Sequence, residues 1–216
     1  MQASCVISLC DRTGNMVKPW LNAGFRALTI DLQDGELDHQ NHRHIRSDVR
    51  KITLATVIAA QPVAMVFAFP PCTHLASSGA RWFKGKGLGS LIGGLEIVEH
   101  CRMLCEGSES PWMLENPVGT LSTYWREPDY AFDPCDYGDP YTKKTCLWVG
   151  GGFVMPPKVK PGDMFDEPTW VAPTLGSIIH FMPPSADRGD KRSITPPGFA
   201  QAVFEANASR LAVAAE

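Results

Sequence analysis

The sequence lacks most of the features that sort a chain quickly into a class. None of its seven cysteines (5, 10, 72, 101, 105, 135 and 146) forms a CxxC pair, which excludes zinc-ribbon spacing and a thioredoxin-type redox motif. Their odd number, with no secretory leader before them, predicts reduced thiols in a cytoplasmic protein of a prokaryote or of a virus's host. Long apolar runs are also missing. Ala55 to Pro71 is interrupted by Gln61 and Pro62 and closes on Pro70-Pro71, so no membrane span is expected. Neither sign of charge dominates: 20 basic and 23 acidic residues leave a net charge of −3. A nucleic acid partner must therefore be met by a local basic surface. One stretch lacks acid altogether. Pro70 to Gly94 carries Arg81, Lys84 and Lys86 with no Asp or Glu.

What is present fits an ordinary globular unit. With 216 residues, 44% hydrophobic and 20% charged, the chain can bury a core without staples. No repeat, low-complexity tract or linker divides it, so one catalytic domain over 1–216 is expected, with a Pro-rich variable region at about 117–190 and a C-terminal helix packing back.

Periodicity places strands at Ser4 to Cys10, Arg26 to Asp31, Val63 to Phe69, Trp112 to Leu114 and Thr145 to Val149. Helices are predicted over Met16 to Ala23, Asp48 to Gln61, Leu95 to Glu106 and Phe199 to Leu211. Gln33 to Arg46 reads as polar and turn-rich, and Pro70 to Gly94 as a mobile, cation-bearing loop. Alternating strands and helices predict an α/β fold: a doubly wound, mostly parallel sheet with helices on both faces.

Three segments bear chemistry. Phe69-Pro70-Pro71-Cys72-Thr73 delivers a thiol from an apolar strand to the mouth of the glycine-rich segment, where open α/β sheets bind ligands and where a cysteine can act as nucleophile. Trp112 to Pro117 ends a second strand in Glu115, a carboxyl group that desolvation would equip as a proton donor. Ser8 to Asn15 forms a strand-turn-helix with Gly14, and Asp31 closes the next strand, a pattern that suits a phosphate-free cofactor better than a dinucleotide. Other clusters point elsewhere. His39, His42 and His44 share a polar loop without completing a ligand geometry, so no metal is expected. Cys101 and Cys105, and Trp112, Trp125, Trp148 and Trp170, read as core or loop bracing, with Tyr124 and Trp125 as exposed candidates.

In order and spacing these segments resemble the DNA (cytosine-5) methyltransferase family, as a compact form without a large target-recognition domain. Pro70-Pro71-Cys72, with Ser77-Ser78-Gly79 beyond it, is similar to the nucleophile motif, and Trp112 to Pro117 to the Glu-Asn-Val motif. Tyr141 to Thr145 stands where the family has a glutamine-arginine-arginine strand, with Lys143 and Lys144 in place of the arginines. Ser193-Ile194-Thr195-Pro196-Pro197 and the following helix resemble the last motif. The resemblance implies a Rossmann-like class I methyltransferase sheet and S-adenosylmethionine as cofactor, held by Leu9, Cys10, Gly14, Asn15, Asp31, Leu32, Asp48, Val49, Pro70 and Ser193. It implies catalysis by Cys72, Glu115 and Lys143, with Ser77, Ser78, Arg81, Lys84, Lys86 and Lys144 contacting DNA that is single-stranded or has the base flipped out. The expected activity is methyl transfer to carbon-5 of cytosine at a short recognition sequence. The alternatives are the same chemistry on RNA or a free nucleotide, or a non-catalytic nucleic-acid-binding relative.

Overall fold

The computed structural model describes residues 4–60, 62–159, 175 and 194–213, with side chains as far as 208. Among the described residues seven strands form one sheet: β1 (Cys5–Leu9), β2 (Arg26–Asp31), β3 (His42–Arg46), β4 (Val63–Ala68), β5 (Trp112–Pro117), β6 (Tyr130–Phe132) and β7 (Thr145–Gly150). Their order is β3-β2-β1-β4-β5-β7-β6. β1 to β5 run parallel, while β7 is antiparallel to both β5 and β6. This is the doubly wound, Rossmann-like class I arrangement that the sequence predicts. β1 is buried along its whole length and β4 nearly so, as continuous apolar runs demand when a sheet is covered on both faces.

The covers are helical. α1 (Lys18–Asn22) and α5 (Pro197–Val213) pack on one face, where Trp20 meets Phe67 and Phe204, and Phe199 stacks on Phe132 with ring centroids 4.0 Å apart. α2 (Leu54–Ile58) and α3 (Phe83–Gly107) cover the other face, with Val57, Val98, Cys101, Leu104 and Cys105 in its core. Cys101 and Cys105 therefore pack as core, together with Trp112 and Trp148. α4 (Leu121–Tyr124) is a single turn after β5.

Three expectations need correction. The helix expected over Asp48 to Gln61 is a 3-10 turn, Val49–Lys51, followed by the short α2. Ile52, extended at φ −78 and ψ 132 and 6% exposed, breaks the helix to put its side chain in the core. The polar stretch Gln33 to Arg46 ends in a strand, β3, because an edge strand buries little and its histidines bond to Thr29 (His42 Nε2 and His44 Nδ1 each 2.8 Å from Oγ1). Those bonds, with His42 Nδ1 and His44 Nε2 on the Leu37 and Gln33 carbonyls, occupy both rings.

The third correction concerns Pro70 to Gly94, which is not a loop throughout. Ser77–Trp82 is a 3-10 turn and Phe83 onward belongs to α3. Glycine costs a helix about 1 kcal/mol per residue relative to alanine, but burying one large aliphatic side chain returns about 1.5–3 kcal/mol. The buried C-terminal half of α3 can thus carry its glycine-rich start. The cost shows at Gly87, where φ 76 and ψ 171 kink the helix.

Gly85 and Gly89 are helical, and an added Cβ there would meet nothing within 4 Å. Gly85→Ala and Gly89→Ala should each raise the urea midpoint, by about 0.4–1 kcal/mol of stability. Gly87→Ala, at positive φ, should lower it.

Candidate active site

The ends of β4 and β5 bring the two chemical segments together. Ala68 pairs with Leu114, so Phe69, the first residue after β4, comes beside Glu115, which stays in β5 opposite Leu147 of β7. Asn116 Nδ2 then donates to the Pro70 carbonyl at 2.9 Å. Beyond it the chains are stapled: Ala76 bridges Gly119, Ser77 donates from N and Oγ to the Val118 carbonyl (2.9 and 2.8 Å), and Thr120 N donates to the Leu75 carbonyl at 2.9 Å. Position 119 must be glycine, since a Cβ would lie 2.1 Å from the Leu75 oxygen. Half-buried Cys72 sits in this stapled loop, its carbonyl accepting from Leu75 N and Ala76 N. Lys86 Nζ reaches back to the Thr73 carbonyl at 2.8 Å, so a cation flanks the thiol segment.

Strand alternation turns Glu115 toward the α5 face. There it lines a small cleft with Phe69, Phe132, Lys143, Thr145, Thr195, Pro196 and Phe199. Cys72 is not among the lining residues. Lys143 Nζ is 3.9 Å from Glu115 Oε1, and their side chains are only 15% and 16% exposed. Oε1 is buried and has no hydrogen-bond partner. Burial raises the Glu115 pKa, and Lys143 opposes that rise. The consequence is a carboxyl group that holds its proton more tightly than usual, beside one cation. His74, two residues past Cys72, has a buried Nδ1 without a partner; only its proximity to the thiol in sequence could have flagged it.

The turn after β1 is built around a residue that the sequence pattern does not single out. Asp11, 5% exposed, accepts from Ser8 Oγ (2.7 Å), Thr13 Oγ1 (3.2 Å) and Gly14 N (2.8 Å). Gly14 is left-handed at φ 64, and a Cβ would lie 2.7 Å from Leu37. Cys10 is also left-handed, at φ 56. Its thiol pKa is pushed well up, first by a hydrogen bond with Cys101 and then by burial. Leu9 and Val49 are buried. The Leu9 carbonyl accepts from Phe69 N at 2.9 Å, joining the ends of β1 and β4. Asn15 Nδ2 lies 3.5 Å from the Thr195 carbonyl, which brings the start of α5 to the turn. Asp31 Oδ1 accepts from Gln33 N at 2.9 Å, with Leu32 63% exposed beside it. The Asp48 carboxylate is engaged otherwise. Arg50 binds it through N, Nε and Nη2 and holds its pKa down at about 2.

Ser77, Ser78, Arg81, Lys84, Lys86 and Lys144 are all exposed, whereas Lys143 points into the cleft. Trp125 is packed rather than exposed, stacked on Trp148 at 5.7 Å, while Tyr124 is 56% exposed. Ser193 and Trp170 lie outside the described residues. Among the described residues no group of His, Cys, Asp or Glu is placed to hold a metal, and no helix is long and apolar enough to cross a membrane.

No known family's sequence profile matches the chain, and no curated protein matches it. Solved structures do. A methyltransferase of Entamoeba histolytica aligns at 12% identity over 86% of this chain and 62% of its own, with a TM-score of 0.43. An epimerase of Methanothermobacter thermautotrophicus aligns at 16% identity over 48% of this chain and 33% of its own, with a TM-score of 0.33. The chain thus spans less than two thirds of either protein.

Because burial raises the Glu115 pKa above its ordinary 4.5, the native state loses stability as pH rises from the unfolded value through the folded one. Glu115→Gln does not ionise. Urea denaturation should therefore show this variant gaining on the wild type between pH 4.5 and neutrality; a constant difference would contradict the raised pKa.

Proposed function

We propose that this chain is an S-adenosylmethionine-dependent methyltransferase acting on carbon-5 of cytosine in DNA through a covalent adduct with Cys72. The observation that carries the reading is the shielded Glu115 carboxyl, with no hydrogen bond at Oε1 and Lys143 beside it, held by the Asn116–Pro70 hydrogen bond next to the strand end that leads to Cys72. Carbon-5 of cytosine is a weak nucleophile. Attack of the Cys72 thiolate on carbon-6, with Glu115 giving its proton to N3, makes the ring an enamine whose carbon-5 can take an electrophilic methyl group. Loss of the carbon-5 proton to solvent, expulsion of the sulfur as thiolate and return of the N3 proton to Glu115 then restore the aromatic ring and both side chains. Lys143 opposes the rise in the Glu115 pKa, and so stabilises the carboxylate left after the proton moves.

The residues at the ends of β1, β2 and β4 would hold the cofactor. Asp31 would accept from ribose hydroxyls, and exposed Leu32 offers an apolar surface to a ring. S-adenosylmethionine, when bound there, supplies the methyl group as an electrophile on sulfonium sulfur. Exposed Arg81, Lys84, Lys86 and Lys144 would meet backbone phosphates.

The test is methyl transfer with labelled cofactor to pools of DNA, RNA and free cytidine nucleotides, followed by sequencing of the DNA for modified cytosine. Modified cytosine in DNA is expected, while label in RNA or nucleotide alone would move the substrate. Cys72→Ser should abolish transfer and the adduct with 5-fluorocytosine DNA while retaining cofactor binding; full activity in that variant would end the proposal. Glu115→Gln should lower the rate by about 10²–10⁴.

A further inference from the structure

Past the staple beside Cys72 the chain turns outward and displays a large aromatic side chain. Trp82, where the 3-10 turn enters α3, is 60% exposed. The Arg81 guanidinium lies 5.1 Å from the centre of its ring, and Lys84 is exposed on the same acid-free stretch of sequence. The α3 surface continues with Leu88, 71% exposed. A ring open to solvent, a cation against it and further cations along the same segment are the two things a single nucleic acid strand needs: π-faces for its bases and positive charge for its phosphates.

Position along the chain ties this surface to the site. Trp82 lies six positions after Ala76, which bridges Gly119, and a 3-10 turn rises ~2 Å per residue, giving about 12 Å. At ~3.4 Å per stacked nucleotide that span is about three or four nucleotides. On the opposite side of the bridge Val118 and Tyr124 are also exposed. A duplex hides the faces of its bases, so an exposed indole gains little from one unless the stack is opened.

We infer that Trp82 stacks on a base of the strand that carries the target cytosine, with Arg81 and Lys84 on its phosphates, and that the substrate is single-stranded DNA. The target base rests on the cytosine methylation reading above; the stacking surface does not.

Fluorescence anisotropy with one labelled oligodeoxynucleotide, alone and annealed to its complement, tests this at fixed salt. The wild type should bind the single strand more tightly than the duplex. Trp82→Ala should weaken single-strand binding about tenfold, and Trp82→Phe should restore most of it. Leu88→Ala, equally exposed but aliphatic, should leave it unchanged. Equal affinity for duplex, or an unchanged Trp82→Ala variant, would overturn the inference. Methyl transfer measured in parallel separates the two claims. Modified cytosine in duplex DNA, made equally well by Trp82→Ala, removes the inference and keeps the activity. Weakened single-strand binding in Trp82→Ala, with no methylation of any pool, removes the activity and keeps the stacking surface.

Discussion

Asn116 is almost wholly buried, and its Nδ2 donates to the Pro70 carbonyl across the gap that opens where β4 ends and β5 continues. A buried amide left without a partner is costly, so this contact is enforced rather than incidental. It fixes the exit of β4 relative to that of β5, and the Ala76–Gly119 bridge extends the same alignment outward. The candidate site residues take their positions from that frame. Glu115 precedes Asn116, Cys72 follows Pro71, and Lys86 anchors on Thr73. Parallel strands alone would bring the two exits to one edge of the sheet; the amide sets how they meet.

Charge is distributed to match. Glu115 and Lys143 face each other in an environment that water reaches poorly, where a single cation has more influence than at the surface. Lys144, one residue on, is exposed. Consecutive lysines thus meet different surroundings, one beside the carboxyl group and the other in solvent. The turn after β1 shows the same economy: one buried carboxylate, Asp11, satisfies two hydroxyls and a backbone amide, so the turn keeps its shape with only Gly14 for conformational freedom.

The strands that form the centre of the sheet are legible because burial on both faces writes itself as uninterrupted apolar sequence. β3 is not, since His42-Arg43-His44-Ile45-Arg46 is a polar run whose pairing is supported by Thr29, a partner remote in sequence. The start of α3 reads falsely as loop because local propensity is weak beside tertiary packing, and Leu104 and Cys105 lie a long way from Gly85. Cys72 and Glu115 can be picked out from the sequence as ionisable groups after apolar strands. Phe132, Thr195 and Phe199, which wall the cleft, carry no chemical signature and become visible only when α5 folds back. Asp11 and Asn116 look like ordinary turn residues until their burial is seen.

β7 runs against its neighbours, so its first residues, rather than its last, arrive at the ligand edge. Sliding that strand by one position would exchange Lys143 for Lys144 opposite the acid and turn every side chain to the wrong face. The far end opposes such a slip: Gly150 pairs with Trp112, and any side chain at 150 would lie 2.6 Å from the indole. A glycine at one end of the strand therefore acts as a ratchet tooth for the lysine at the other, and the polarity of the cleft depends on a contact a whole strand length away from it.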